Sequence, residues 1–292
     1  MRKFAAMLIT ALLCAALLCG CAPGVVDVYK YEDAQLYTPG GTELDGGVSS
    51  LDIDWLSGEV LIERHAGQGI IVAEESDAPL SEELQLHWRL NDGRLCVRYI
   101  RSGAQSNGFL NKRLRVSLPE GLALEEIAVN GVSAAVRAES LAAGRVEINS
   151  VSGGVRLLDC AVADSLALRS TSGGLEARLT GRVETAALNS VSGPVSLEAG
   201  GVGAFEAHTT SGGITLSAGE APASLEAGSV SGGVRLILPV GAGFTLRYGS
   251  VSGNLSSALP LSAAEGGLVC GDGVAAYSVS TTSGGLVIEA RE

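Results

Sequence analysis

The side chains best suited to covalent chemistry in this sequence are serines that precede glycine at regular intervals. These pairs are Ser152 and Gly153, Ser172 and Gly173, Ser192 and Gly193, Ser211 and Gly212, Ser231 and Gly232, Ser252 and Gly253, and Ser283 and Gly284. A serine acts as a nucleophile only with a general base within hydrogen-bond reach. The segment GSVSG at 228–232 resembles a nucleophile elbow, but its central residue is Val230. Because serine recurs in every copy, we predict that these hydroxyls build the structure and that the chain is not an enzyme.

The histidines do not show the spacing of a metal site. His65, His87 and His208 are 22 and 121 residues apart, whereas zinc ligands usually come in closely spaced pairs. Calcium-binding rolls repeat a G-G-x-G-x-D motif, but aspartate rarely follows the glycines here, and CGDG at 270–273 occurs once. The sequence therefore predicts no metal and no cofactor.

The Ser-Gly pairs define an internal repeat. Counted from a degenerate copy at Ser133, successive serines are 19, 20, 20, 19, 20, 21 and 31 residues apart. A fixed period of this length is the signature of a repeat architecture. The long last interval predicts an insertion at about 257–277.

Within each repeat, apolar and polar residues alternate as they do in half-buried strands. The sixth residue before each serine is Val146, Leu166, Ala186, Phe205, Leu225, Leu246 or Tyr277, and the fourth is Ile148, Leu168, Leu188, Ala207, Ala227, Tyr248 or Val279. The third residue after it is Val155, Leu175, Val195, Ile214, Val234, Leu255 or Leu286. The third residue before it is polar or glycine and should lie on the outer face: Asn149, Arg169, Asn189, His208, Gly228, Gly249 or Ser280. Two strands on either side of each corner thus share one interior.

A unit of about 20 residues cannot bury its apolar face alone, but stacked units bury one continuous core. The predicted fold is all-β: a single-stranded parallel β-helix, or β-solenoid, with one repeat per coil. Each coil adds about 4.8 Å, so the Ser-Gly levels form a rod section of roughly 34 Å.

The corners impose particular requirements. We expect Gly153 and its equivalents to adopt positive φ, and we expect a Cβ there to collide with the next coil. By alternation, Ser150 and Ser152 should both point inward, where stacked hydroxyls bond to each other and to turn amides. In the alternative, an earlier change of phase turns Val151 inward instead.

The pattern divides the mature chain into two parts. Residues 48–128 alternate less regularly and are predicted to form irregular β coils that cap one end, and residues 129–292 form the regular solenoid. Terminal coils must differ because an exposed strand edge invites pairing between chains. We expect Glu289, Arg291 and Glu292 to place charge on the strand at the other end, and the insertion to fold over that edge.

The first residues read as an export signal. Arg2 and Lys3 precede an apolar run too short to span a bilayer. The following Leu-Cys-Gly-Cys, which ends at Cys21, resembles the lipobox of bacterial lipoproteins. The resemblance implies a signal peptide at 1–20, lipidation of Cys21 and a lipid anchor in the membrane, followed by a tether at 21–47. The alternative is ordinary secretion after cleavage at another small residue. In either case the mature chain lies outside the cytoplasm.

Charge and cysteine content narrow the partners. Loss of the two basic signal residues lowers the basic count from 20 to 18 against 32 acidic residues, so the formal charge changes from -12 to -14. Such a chain repels nucleic acid. Apart from the cysteines of the predicted signal peptide and lipidation site, the chain has three, Cys96, Cys160 and Cys270, and they lack CxxC spacing. We favour buried unpaired thiols over one disulfide with one free thiol.

The strand and proline in LRVSLPEGLALEEIAVNGVSAAV, followed by repeated [ST]-[VT]-S-G-G-[VLI] units, resemble the Toastrack-like family of bacterial putative adhesins, whose function is unknown. The resemblance covers roughly residues 48–290 and implies a β-helix exposed at the cell envelope, without catalytic residues. The sequence departs from the family pattern at Ala134 and Ala135, which replace the glycines.

These observations favour a surface lipoprotein whose solenoid is a non-catalytic, adhesin-like scaffold for an extracellular protein or a wall polymer. Two alternatives stay open. One is the ectodomain of an envelope-stress sensor or regulator. The other is a polysaccharide-active β-helix enzyme, although the 12 aromatic residues and the short coils leave little from which to build a sugar-binding cleft.

Overall fold

The computed structural model describes residues 29–105 and 110–291, which form strands and two short 3-10 turns, Ala34–Leu36 and Glu82–Leu84. The strands are β1 (Thr38–Pro39), β2 (Thr42–Leu44), β3 (Ser50–His65), β4 (Ile70–Ser76), β5 (His87–Asn91), β6 (Arg94–Arg98), β7 (Lys112–Pro119), β8 (Leu124–Glu139), β9 (Ala142–Ser150), β10 (Val155–Ser170), β11 (Leu175–Leu179), β12 (Arg182–Ser190), β13 (Val195–Thr209), β14 (Ile214–Glu220), β15 (Ser224–Ser229), β16 (Val234–Pro239), β17 (Phe244–Ser250), β18 (Leu255–Ser257), β19 (Ser262–Ala264), β20 (Gly267–Cys270), β21 (Ala275–Thr281) and β22 (Leu286–Arg291).

The chain coils into a β-solenoid, as its period predicts. Equivalent residues of successive repeats pair in parallel register, for example Leu168 with Leu188 and Ala207 with Ala227. A second parallel ladder follows the corner, where Val195 pairs with Ile214. The hydrogen bonds therefore run along the stacking axis, from coil to coil, and the predicted all-β solenoid is confirmed.

The alternating side chains that face inward form one continuous core. The predicted apolar columns are buried throughout, from Val146 and Ile148 to Val279 and Leu286. The exceptions, Tyr248 and Leu255, lie in the coil that contains Ser252 and are half-buried. Because only a coil at the end of the stack lacks a neighbour on one side, this exposure identifies the Ser252 coil as an end coil.

The order of coils departs from the order of the sequence at the C-terminal end. Strand β21 pairs in parallel with both β15 and β17, and β22 pairs with both β16 and β18. The last coil of the chain therefore lies between the two coils that precede it in sequence. The expectation that the strand containing Glu289 and Arg291 forms the end edge is wrong.

The N-terminal end has the same arrangement. Strand β3 pairs with β6 and β7 on one side and with β8 on the other, in parallel throughout. The first coil of the chain thus lies between two coils that follow it in sequence. At both ends of the rod, the coil nearest a chain terminus is enclosed in the sheet.

Short antiparallel strands cover part of the exposed edges. At the N-terminal end β4 pairs with β7 and β5 with β6. The predicted insertion contains the β19–β20 hairpin, and β20 covers β17. Residues 29–47, which the sequence analysis assigns to a tether, pack on the cap instead: β1 pairs with β5 and β2 with β4.

The corner glycines are required by close packing and not by their φ angles. None of Gly153, Gly173 or their five equivalents has positive φ, so that expectation is wrong. A Cβ built on Gly173 would lie 2.5 Å from the carbonyl carbon of Gly153 in the preceding coil, and closer still to its oxygen. The predicted collision between coils is therefore present at these corners, and it alone excludes a side chain.

Candidate functional site

The first hydroxyl of each corner is hydrogen-bonded, and it is buried in every corner except that of Ser250, where it is half-buried. Ser170 is 6% exposed, accepts a hydrogen bond from the Gly173 N–H at 2.8 Å and donates one to the Gly153 carbonyl at 3.4 Å. The same pair of bonds recurs at Ser190, Thr209 and Ser229. We call these residues the corner hydroxyl column: Ser150, Ser170, Ser190, Thr209, Ser229, Ser250 and Thr281. Both bonds are made at Ser170, Ser190, Thr209, Ser229 and Ser250, whose hydroxyls join adjacent coils and are not free to attack a substrate.

The second serine of each corner points to solvent. Ser152, Ser172, Ser192, Ser211, Ser231, Ser252 and Ser283 are all exposed. The expectation that both serines face inward is therefore right for the first and wrong for the second. The alternative is wrong too, since Val191 and Val230 are also exposed. The chain bends over these residues, so the strict alternation of a strand stops at the first hydroxyl.

The three histidines lie in different surroundings. His65 bonds through Nε2 to the Gly69 carbonyl at 2.7 Å. His87 is buried, and burial lowers the pKa of its imidazole. His208 lies on the outer face, 3.7 Å from Glu206 and 4.0 Å from Glu226. In the described parts of the chain no histidine hydrogen-bonds to a corner hydroxyl, so the pairing that a serine nucleophile needs is not found there.

A buried lysine in the N-terminal cap escaped the sequence analysis. The Lys112 ammonium is 2.8 Å from the Glu74 carboxylate and donates to the Leu84 carbonyl at 2.8 Å and to the Tyr99 carbonyl. It also lies 5.0 Å from the centre of the Trp55 ring. Burial lowers the pKa of Lys112, and the hydrogen bond with Glu74 opposes that shift. The sequence does indicate its burial, because Lys112 alternates with Leu114 and Val116, which face inward.

This lysine holds the cap together. Glu74 belongs to β4 and also accepts a hydrogen bond from the Leu86 N–H at 2.7 Å. Lys112 therefore links the edge-covering strand to the chain before β5 and to the coil below. A buried charge must be paired and hydrogen-bonded, and here the ammonium has one carboxylate and two carbonyls. With no route from solvent to the ammonium, its place is structural.

The remaining cysteines are buried free thiols. Cys96, Cys160 and Cys270 are unpaired, which agrees with the favoured interpretation. Burial raises the pKa of each thiol, so none has the exposed, low-pKa character of a reactive cysteine.

Charged residues on the outer face after the corner pair with each other. Arg156 contacts Glu176 at 2.8 Å and Arg235 contacts Glu289 at 3.1 Å, in each case between adjacent coils. Exposed pairs of this kind contribute little to stability. They do leave this face with few unpaired charges.

The outer face before the corner carries a column of mostly polar residues from successive coils. We call it the polar column: Asp54, Asn130, Asn149, Arg169, Asn189, His208, Gly228 and Ser280, which are successive register partners. Beside it runs a ridge of β-branched residues at the corners: Val132, Val151, Thr171, Val191, Thr210, Val230 and Thr282. Between the two lies a groove with a volume of about 530 Å³.

The described residues, 29–105 and 110–291, contain neither a cluster of metal ligands nor a membrane-spanning helix. No cluster of three or more His, Cys, Asp or Glu side chains there could hold a metal ion. No helix in those ranges is long and apolar enough to cross a membrane. The predicted lipidation site, Cys21, and the predicted signal peptide at 1–20 lie outside the described residues.

The protein is thus a β-solenoid whose repeats turn at Ser-Gly corners. The family model Toastrack DUF4097 matches residues 40–289. The chain belongs to this family, as the resemblance in the sequence indicated. Among curated proteins, none matches the chain.

Solved structures of low identity cover most of the chain. A putative adhesin from Bacteroides fragilis is 16% identical, with 85% of this chain and 95% of that chain covered and a TM-score of 0.45. One from Parabacteroides merdae is 13% identical, with 87% and 97% covered and a TM-score of 0.41. A putative cell adhesion protein from Clostridium sporogenes is 10% identical, with 87% and 100% covered and a TM-score of 0.30. Likenesses this distant carry no conclusion about this chain.

Proposed function

We propose that this chain is a cell-envelope lipoprotein whose solenoid is a non-catalytic scaffold for interaction at the bacterial surface, in the manner of an adhesin. The observation that carries the proposal is the use of the corner hydroxyls. The first serine of each corner bonds to a glycine amide inside the corner, and the exposed second serine has no histidine bonded to it among the described residues. Other hydrogen-bonding groups that face solvent lie on the polar column, where they suit binding.

The composition of the groove argues against a polysaccharide-cleaving enzyme. Glycoside hydrolases place two carboxyl groups on either side of the scissile bond, and no acidic residue lines this groove. Two acidic residues beside the groove residue His208, Glu206 and Glu226, have side chains that are 56% and 68% exposed. Their open position provides no buried acid for protonation of a leaving group.

The packing of the N-terminal segment supports an orientation on the membrane. Tyr29 packs on the cap through two hydrogen bonds: its carbonyl accepts one from the Gly103 N–H at 2.8 Å, and its hydroxyl accepts one from the Tyr99 N–H at 3.2 Å. If Cys21 carries the lipid, residues 22–28 alone connect the two, and they span at most about 25 Å. The cap then lies near the membrane and the C-terminal coils point away from it.

The anchor is tested by changing Cys21 to Ser in the native host. The proposal expects the variant to appear in the soluble extracytoplasmic fraction and the native chain in the membrane fraction. A variant that stays in the membrane fraction would show a different anchor.

The binding role is tested by crosslinking on intact cells, with photoreactive residues placed at Thr171 on the ridge and at Arg156 on the opposite side of the corner. A partner captured at either position supports the scaffold. Incubation of the full chain with glycans and peptidoglycan tests the catalytic alternative. Turnover that disappears in Glu226→Gln would overturn the non-catalytic assignment.

A further inference from the structure

The polar column divides into an occupied half and an open half. In the first half, Asn130 donates to Asp54 at 3.0 Å, Asn149 donates to Asn130 at 3.2 Å, and Arg169 pairs with Glu147 at 2.9 Å. In the second half, Asn189, His208 and Ser280 make no side-chain hydrogen bond to any part of the chain that the structure describes. The open donors and acceptors of the column thus belong to three of its last four positions, and Gly228 is the fourth.

That glycine widens the groove. A Cβ at Gly228 would lie 2.7 Å from Nδ1 of His208 and 3.4 Å from Oγ of Ser280. The imidazole and the hydroxyl therefore flank a space that any other residue would fill. From Asn189 to Ser280 the column rises by three coils, roughly 14 Å.

The facing wall of this open half is apolar and hydroxylic. Val191 and Val230 are 46% and 47% exposed, and Thr210 and Thr282 alternate with them along the ridge. Every one of these residues presents a γ-methyl group. The floor is the buried corner hydroxyl column, which is already hydrogen-bonded. A ligand in the groove therefore meets methyl groups on one side and free amide, imidazole and hydroxyl groups on the other.

The stacking of the coils excludes recognition through a peptide backbone. An added β-strand needs unpaired N–H and C=O groups along a sheet edge. Here the backbone groups beneath the groove pair between coils, Asn189 with His208 and His208 with Gly228. A polymer that lies along the groove can contact side chains only.

Charge narrows the occupant further. No acidic residue lines the groove, and its one arginine, Arg169, is paired with Glu147. The two glutamates beside His208, Glu206 and Glu226, lie outside the lining and are mostly exposed to solvent. The chain as a whole has a formal charge of -12 and repels nucleic acid. These conditions favour an uncharged polymer with many hydroxyl groups.

We propose, on the basis of the surface-scaffold function above, that the open half of this groove binds a neutral polysaccharide chain that lies along the solenoid axis. The C–H face of each sugar ring packs on the methyl groups of Val191 and Val230. The hydroxyl groups on the other edge bond to Asn189, His208 and Ser280. A single exposed site of this kind is weak, and many copies on one cell increase its avidity.

Glycan binding tests the site. The full-length chain, purified in detergent, is applied to immobilised neutral gluco-, manno- and galacto-oligosaccharides, to carboxylated oligosaccharides and to extended peptides. We expect binding to a neutral member of the panel. Asn189→Ala and His208→Ala should each weaken it about 2- to 10-fold, the effect of one solvent-exposed hydrogen bond. Gly228→Val should abolish it by filling the space between His208 and Ser280.

Asn149→Ala is the matched control, because its amide lies in the same column but is already engaged. Thermal unfolding verifies that each variant is folded. Absence of binding to every neutral glycan, or equal binding by Gly228→Val and the native chain, would overturn the site. Binding confined to peptides or to carboxylated sugars would overturn it as well. A partner crosslinked at position 156 together with either result would leave the scaffold function standing and remove only the glycan.

Discussion

Replacement of Gly173 by alanine tests the packing that the solenoid depends on. The added Cβ would lie 2.5 Å from the Gly153 carbonyl carbon and 2.8 Å from the Gly154 nitrogen. Because both atoms belong to backbone, they cannot rotate away. The two coils must separate locally by roughly 1 Å to restore ordinary van der Waals contact.

The magnitude follows from what that separation disrupts. Overpacking of this kind costs about 1–3 kcal/mol. The same movement stretches the hydrogen bond from Ser170 to the Gly153 carbonyl, which joins these two coils and is worth about 1 kcal/mol. We therefore expect Gly173→Ala to lower the free energy of unfolding by about 3 kcal/mol.

Gly174→Ala provides the control within the same corner. Its Cβ would lie 3.4 Å from Cδ of Pro194, a contact that the chain tolerates, so its effect should stay within about 0.5 kcal/mol. Urea unfolding followed by far-ultraviolet circular dichroism measures the whole solenoid, and the fluorescence of Trp55 and Trp88 reports on the N-terminal coils. Equal small effects of the two substitutions would refute the argument that close approach between coils requires the first glycine.

Three further predictions concern the corner, the coil order and the cap. Ser170→Ala should lower the free energy of unfolding by about 1–3 kcal/mol because it leaves a buried amide unpaired, whereas the exposed Ser172→Ala should change it by less than about 0.5 kcal/mol; equal values in urea would contradict this. Arg235 and Val287 are register partners, so a double variant with cysteine at both positions should form a disulfide on oxidation. A double variant with cysteine at positions 235 and 256 should not, and mass spectrometry under non-reducing conditions distinguishes the two. The opposite result would show that the coils stack in sequence order. Lys112→Met should lower the free energy of unfolding by about 3–5 kcal/mol because Glu74 then lies buried without a counter-charge, and adding Glu74→Leu should recover much of the loss; a double variant as unstable as the single one would contradict that origin.

Local pattern predicted the solenoid well because the features that create it are local. Alternation along Val146, Ile148 and Ser150 determines which side chains face inward, and all three are buried. The repeat period determines that equivalent positions stack, as Leu168 and Leu188 do. Neither inference needs to identify the neighbouring coil.

The coil order was out of reach for the same reason. Every copy presents similar apolar columns, so any coil can stack on any other as far as periodicity shows. The long interval between Ser252 and Ser283 indicated an insertion, but not that the chain passes over one level and then returns to fill it. The half-burial of Tyr248 and Leu255 is visible only in the assembled rod.

The candidate site was partly accessible from sequence. Asn189, His208 and Gly228 could be placed on the outer face from their position before each serine. The sequence could not show that their hydrogen-bonding groups are free to bind a ligand, because this depends on which neighbouring side chains bond to them. Arg169 is occupied because Glu147 lies in the preceding coil, whereas Asn189 has no such partner among the described residues.

The arrangement at the two ends of the rod explains how a stack of nearly identical coils stops growing. If coils stacked in sequence order, the first and last strands would each offer an unpaired edge to another molecule. Here β3 and β22 are each paired on both sides, and the outer coils carry antiparallel strands such as β5 and β20. The outer coils are therefore joined to the chain at both of their ends, and a terminus cannot peel away to expose them. The cost is a delay in folding, because β3 gains its parallel neighbours only from residues beyond 90 and β17 gains its parallel neighbour β21 only after the β19–β20 hairpin.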